Sequence, residues 1–371
     1  MPDSAMKALK FLVGPVLAGI VAGIAVLWLN HNGSATQSSA PAPPPVVHSY
    51  ADVVARAAPA VVNIYTTQIV TRRQAAVPRP FLDQYQEPRR ERILSSLGSG
   101  VIVSAEGYIL TSYHVIRDAD EILVALSDGR EAAARVMGTD PETDLALLQI
   151  SLGHLPVISL NGDGPVRVGD VVLAIGNPLG VGQTVSMGIA SATGRSNLGI
   201  ATFENFIQTD AAINRGNSGG ALIDTFGNLI GINTAILSTD GSWEGIGFAT
   251  PATTARNVMN DLIEHGRVIR GWLGVTVKDV TPAMASDLGL REVRGGLIQE
   301  IALQGPAHQG GIRLGDVLVG IEGQLLRDGY EAMNIISAAR PGTRLELTVI
   351  RSREEIVVTV EIGTRPPASE S

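Results

Sequence analysis

The 371-residue chain is 45% hydrophobic but only 4% aromatic, with 42 Gly, 20 Pro and a formal net charge of -8. That balance is globular, leans towards strands and turns, and excludes the basic footprint of a nucleic-acid-binding protein. The chain has no cysteine, which excludes disulfides, thiolate metal sites and a cysteine nucleophile, and its length has room for two or three domains.

In chain order, Lys7 and Lys10 precede FLVGPVLAGIVAGIAVLWL at 11–29, nineteen residues without a charge. At about 1.5 Å per residue this helix nearly spans a hydrocarbon core of about 30 Å. No Lys or Arg follows until Arg56. The positive-inside bias therefore places residues 1–10 in the cytoplasm and everything after Leu29 on the other side. A cleaved signal sequence is the competing reading, but its apolar core usually runs about 7–15 residues, so a retained transmembrane anchor is expected. Residues 30–48 read as a linker, polar first and then stiffened by polyproline II around Pro41 to Pro45.

A short helix is expected from Tyr50, then a strand over 61–70. Residues 72–96 are charged, proline-bearing and aperiodic, which predicts a long loop, functional or disordered. Strands follow over 99–104, 108–112, 121–126, 131–137 and 145–150, with Asp128-Gly129 as a hairpin turn. A second set covers 170–176, 184–193, 206–209, 221–223 and 229–236. Two runs of short antiparallel strands predict two packed β-barrels. A helix over 252–265 closes them, with Val258, Leu262 and Met259 inward and Gly266 as its cap. From about residue 268 a third unit has strands over 272–277, 296–301, 316–321, 345–351 and 355–362, and helices over 307–310 and 330–339. The tail at 364–371 is expected to be disordered.

The chemistry concentrates in NRGNSGGAL, residues 214–222. Glycines supply positive φ for a tight loop, and they also clear space around Ser218. A serine hydroxyl needs a base, and without cysteine the natural candidate is histidine. Of six histidines, His31 and His48 lie in the linker, His154 and His308 in turn-like sequence, and His265 on the closing helix. His114 ends a strand in ILTSYHVI, at the edge of a barrel. Asp144, ahead of LALLQI, reads as a turn residue, but an Asp can also accept from the imidazole and fix its tautomer. His114, Asp144 and Ser218 stand in chymotrypsin-like order, the first two in the first barrel and the third in the second. A cleft between the barrels would assemble them, with the N–H groups around Gly216, Asn217 and Ser218 as oxyanion donors.

TSYHVI, TDLALLQI and NRGNSGGAL, with QTDAAIN before the last, resemble the HtrA family of serine proteases. The anchor, the single following module and the length are similar to its membrane-tethered, stress-sensing branch. The resemblance implies a mainly β fold: a chymotrypsin-like double β-barrel at 49–266, then one PDZ domain at 267–363. In digestive relatives an Asp precedes the nucleophile and pairs with a new N-terminus; here Asn217 stands there and cannot, so activation must come from elsewhere. Ala212 occupies the place where trypsin-like enzymes keep an acid. An apolar pocket is implied, lined by Ile213 and by Ile236 or Leu237, which accepts Val or Ala and rejects an unpaired cation.

The third unit resembles a PDZ domain. Gly271, Trp272, Leu273, Gly274 and Val275 match the loop that receives a peptide's terminal carboxylate, with the next strand edge open to an added strand. Arg195 matches an arginine that relays the PDZ state to the active-site loops, the plain alternative being an exposed turn residue. Tyr50 sits where the family uses an aromatic in trimer contacts, or simply starts a helix.

The implied protein is a serine endopeptidase of the bacterial inner membrane, single-pass, with protease and PDZ domains in the periplasm. Its expected substrate is a membrane-anchored anti-sigma factor, and its activators are C-terminal peptides of misfolded outer-membrane proteins. A homotrimer is implied, with no metal or cofactor. A general periplasmic quality-control protease is an alternative; so is a PDZ binding scaffold with a vestigial triad, against which the intact Ser, His and Asp argue.

Overall fold

In this computed structural model the described residues are 17–28, 49–71, 91–160, 164–177, 182–214, 216–236 and 245–366, with the backbone alone at 69–71, 91–96 and 235–236. The chain divides into Met1–Ser49 and Tyr50–Ser371. The described part of the first unit is an exposed helix over 17–28. No helix among the described residues is long and apolar enough to cross a membrane. The rest of the expected span, the linker and residues 72–90 lie outside the described residues.

The first sheet contains β1 (Val61–Thr71), β2 (Glu91–Ile102), β3 (Tyr108–Ser112), β4 (Glu121–Ala125), β5 (Glu131–Ala133), β6 (Arg135–Asp140) and β7 (Leu145–Gln149), in the order β5-β4-β1-β2-β3-β7-β6. Its ladder is open rather than the closed barrel expected. Its two edge strands, β5 and β6, are nonetheless separated only by Ala134, so the sheet curls until its edges are neighbours in the chain. Strand β2 also corrects the predicted loop: residues 91–96 pair with β1, from Thr71↔Glu91 to Thr66↔Ser96. Long-range pairing overrides the absence of a local period there.

Alternation explains why LALL in β7 is apolar throughout. Ala146 and Leu148 face the interior of the first sheet with Val62, Ile64, Ile102 and Ile109. Leu145 and Leu147 point the other way, into a core shared with Leu173, Ile175, Ala221 and Ile232 of the second barrel. A strand buried on both faces has no polar register.

The second barrel closes in the order β10-β13-β12-β11-β8-β9, from β8 (Val171–Gly176), β9 (Thr184–Arg195), β10 (Phe206–Thr209), β11 (Ala221–Ile223), β12 (Leu229–Ile236) and β13 (Gly247–Pro251). Sequence reading missed β13, a five-residue strand with Gly and Pro at its ends and no alternation. Closure depends on it, because it joins β10 to β12. The helix Ala252–His265 then lies over the joint between sheet and barrel. Val258 and Leu262 are buried, Met259 packs beside them, and Gly266 ends the helix with φ 68°.

The C-terminal part is a second β-rich domain. β15 (Val275–Asp279), β16 (Gly296–Ile301), β17 (Val317–Ile321), β19 (Arg344–Arg351) and β20 (Glu354–Glu361) follow one another across a sheet, and β18 (Gln324–Leu325) pairs with β17. β14 (Gly271–Trp272) pairs separately with β21 (Gly363–Thr364). The expected strand over 272–277 is therefore broken at Leu273-Gly274, where Gly274 has φ 76°. The helix Gly329–Ala338 starts where Asp328 accepts the Glu331 N–H. A further helix, Pro282–Leu288, was not anticipated, although Thr281 caps it, Pro282 opens it and Gly289 closes it at φ 68°, all legible start and stop signals.

Candidate active site

His114 and Asp144 come together at adjacent ends of β3 and β7. The chain leaves β3 at Ser112 and turns into a four-residue helix, Tyr113–Ile116, so His114 lies just past the strand it was expected to end. Asp144 occupies the turn before β7 with φ 55°, a left-handed conformation that Asp tolerates better than most residues. Its backbone carbonyl accepts the Tyr113 N–H at 3.0 Å. Its carboxylate then grips His114 twice: Oδ1 accepts the backbone N–H at 2.9 Å and Oδ2 lies 2.7 Å from Nδ1. Asp144 is buried and the imidazole is 40% exposed. A buried acceptor on Nδ1 leaves Nε2 free to take a proton.

Ser218 belongs to the loop ahead of β11, and this loop is fastened to the first sheet. The Ser218 carbonyl accepts the Ser99 N–H at 2.9 Å. Ser99 Oγ donates to the Gly216 carbonyl at 2.7 Å and accepts the Asn177 N–H at 3.0 Å. Gly219 (φ 81°) comes so close that a Cβ there would lie 2.1 Å from the Ser99 carbonyl and 2.3 Å from Thr111 Oγ1. Gly219 thus makes the positive-φ turn expected from sequence and, beyond that expectation, allows a close approach between the two sheets.

Among the described residues, the N–H groups of Gly216 and Ser218 donate to no acceptor, whereas the Asn217 N–H is engaged with the Asn214 carbonyl at 3.0 Å. Asn217 is therefore not available as an oxyanion donor here. The Ser218 hydroxyl donates to the Thr234 carbonyl at 3.1 Å. Ile213 is buried in the second barrel's core, where Gly247 leaves room for its side chain. The Ala212 carbonyl accepts Ser186 Oγ at 2.7 Å. The Ile236 side chain and Leu237 lie outside the described residues. Among the described residues no His, Asp and Glu cluster is arranged to hold a metal ion.

A groove of about 730 Å³ lies in the C-terminal domain, lined by the predicted loop Gly271 to Val275, by β15 and by Tyr330, Met333 and Ile336. The N–H groups of Leu273 and Gly274 have no acceptor among the described residues. β15 pairs on one side only, with β16. Phe203 and Asn197 of the β9–β10 loop also line the groove.

The same loop joins the two domains. Glu204 is buried, and its carboxylate accepts the N–H groups of Leu198, Ile200 and Ala201 at 2.5, 2.6 and 3.2 Å. Asn334 Nδ2 donates to the Glu204 carbonyl at 2.5 Å. Arg270, also buried, pairs with Asp140 and, at 3.2 Å, with Glu142, so it holds the turn that carries Asp144. Arg195 is exposed and donates to Gln208 on β10 at 2.8 Å. At that end of β9, Arg327 of the PDZ domain reaches the Gly194 carbonyl at 3.3 Å. Sequence reading missed Ser99, Thr234, Glu142, Glu204 and Arg270. Each acts through a partner more than fifteen residues away or through its backbone, which leaves no local pattern, except Glu204, which caps its own loop.

Residues 98–232 match the family model of a trypsin-like peptidase domain, and residues 271–362 that of a PDZ domain. The serine endoprotease DegS of Escherichia coli (strain K12) is 42% identical over 322 residues, covering 86% of each chain. The chain belongs to the HtrA family of serine proteases. This HtrA protease is a serine endopeptidase close to DegS. It is also 40% identical to a probable periplasmic serine endoprotease, DegP-like, of Pseudomonas fulva (strain 12-X), over 85% of this chain and 71% of that one. Among solved structures, the HtrA-type protease AlgW with a decapeptide is similar at a TM-score of 0.70 and 52% identity, over 86% of this HtrA chain and 99% of the other.

Proposed function

We propose that this protein is a membrane-anchored, periplasmic HtrA protease of the DegS type, cutting after small aliphatic residues. Ser218 attacks the scissile carbonyl, His114 takes its proton and later returns it to the leaving amine, and Asp144 holds the imidazole. The N–H groups of Gly216 and Ser218 receive the developing oxyanion. The single observation that carries this reading is the double hold of Asp144 on His114, on the sheet to which the Ser218 loop is fastened. The Ser218 hydroxyl donates its hydrogen bond to the Thr234 carbonyl, an arrangement that suits an enzyme awaiting activation.

The groove is the sensor in this proposal. Two free N–H groups, an open strand edge and an apolar lining suit an extended peptide with a free C-terminus, such as the exposed end of a misfolded outer-membrane protein. Its binding shifts the population towards the active loops, and a membrane-anchored anti-sigma factor is then cut. The apolar span at 11–29 anchors the chain, the protease and PDZ domains work in the periplasm, and the assembly is a homotrimer, with Tyr50 near its contacts. A DegP-type quality-control role is the second reading, favoured by the DegP-like relative, although the chain covers 71% of that relative and 86% of DegS.

The test uses the full-length protein, with Ser218→Ala as control, on a peptide carrying Val or Ala at the cleaved position. The expected result is cleavage that rises when a hydrophobic C-terminal peptide is added, and none in the variant. Residual cleavage by Ser218→Ala refutes the triad; high activity that ignores the peptide refutes the sensor; degradation of casein to small fragments favours the second reading.

A further inference from the structure

Two arginines flank one phenylalanine where the PDZ domain meets the protease. The guanidinium carbons of Arg270 and Arg365 lie 4.7 and 4.8 Å from the centre of the Phe203 ring. Both also pair with one carboxylate, Glu142: Arg270 Nη1 at 3.2 Å and Arg365 Nη2 at 2.9 Å. Their surroundings differ. The Arg270 side chain is 9% exposed and has Asp140 as a second partner, whereas Arg365 is 33% exposed. Arg365 also lines the groove beside Gly271 to Val275, and its N–H donates to the Arg270 carbonyl at 3.0 Å, just before that loop.

We propose that Arg365 is a binding residue for the terminal carboxylate of the peptide, which it takes in exchange for Glu142. This rests on reading the groove as a peptide site. A carboxylate set on the Leu273 and Gly274 N–H groups brings an anion into the groove that Arg365 lines, and a guanidinium matches a carboxylate bidentately. Exchange is feasible because Glu142 keeps Arg270 and is not left as an unpaired charge. It also has a consequence. Glu142 stands two residues from Asp144 and its carbonyl accepts the Phe203 N–H at 2.9 Å, so an occupied groove relaxes one of two cationic holds on the turn that positions the catalytic acid. Binding and catalysis are then linked, and the linkage acts in both directions.

The experiment measures binding of two fluorescent peptides to the full-length protein, identical and ending in an apolar residue, one with a free carboxylate and one amidated. Wild type is expected to prefer the free acid. Arg365→Ala should reduce that preference about tenfold, the size of one lost charge-assisted contact, while binding of the amide stays unchanged. Glu142→Gln should tighten the acid about threefold by releasing Arg365, again without moving the amide. Equal weakening of both peptides by Arg365→Ala gives Arg365 a packing role and overturns the proposal while the groove stands. An unchanged preference in both variants also overturns it. If wild type binds neither peptide, the groove reading fails and the proposal with it. Thermal melting of each variant checks that the fold is kept.

Discussion

Asp144 holds His114 at two points, the imidazole Nδ1 at 2.7 Å and the residue's own backbone N–H at 2.9 Å. One carboxylate thereby sets both the ring's tautomer and the helical turn on which the ring is mounted. In Asp144→Asn the amide oxygen can still accept the backbone N–H, but its NH₂ then faces Nδ1. The ring proton is driven to Nε2, where it blocks uptake of the serine proton. A fall in kcat of about 10⁴ is expected with little loss of stability, checked by turnover and thermal melting of the same preparation.

Gly219 and Gly129 make a matched pair, with φ of 81° and 88°. A Cβ at Gly129 meets nothing within 4 Å, whereas one at Gly219 meets the Ser99 carbonyl at 2.1 Å. Gly129→Ala should cost about 1–2 kcal/mol, the strain of a left-handed residue. Gly219→Ala adds a backbone collision and should cost more than about 3 kcal/mol, with loss of active-site labelling by a serine probe. Equal denaturation midpoints for the two variants would refute this account of the loop.

The Glu204 carboxylate organises residues 198–201 by accepting three N–H groups while buried. Glu204→Gln replaces one acceptor oxygen with a donor that faces another donor. A loss of about 1–3 kcal/mol is expected. Hydrogen exchange should quicken at 198–201 before it changes in either core.

Within the PDZ core, Arg351 makes a bidentate pair with Asp316, at 2.7 Å for both Nε and Nη2, and the Asp316 side chain is 1% exposed. Arg351→Ala strands a buried carboxylate and should cost about 3–5 kcal/mol. The hydrogen bond to Asp316 holds the Arg351 guanidinium above its ordinary pKa. For a base raised in this way, the stabilisation is complete below the unfolded pKa and is lost only as pH rises through the folded one. The variant's deficit should therefore be constant across neutral pH in denaturant titrations.

The reach of the sequence shows best in three places. NRGNSGGAL identified a tight glycine loop because positive φ is a demand met locally, and the structure finds it at Gly216 and Gly219. His114 and Asp144 were legible as candidates by residue type and order, and β7 as a strand by its apolar run. Residues 91–96 were not legible: their strand exists only because β1 lies beside it. The same holds for β13, which closes the barrel without any alternation of its own.

By itself, then, the sequence determined which residues can do chemistry and where most strands and helices lie. Local sterics and periodicity encode those features. Only the tertiary structure decided that Ser218 donates to Thr234 and that Glu142 is shared by Arg270 and Arg365 across the domain joint. Those contacts depend on distances between segments far apart in the chain, and such distances are set by packing after the local elements have formed.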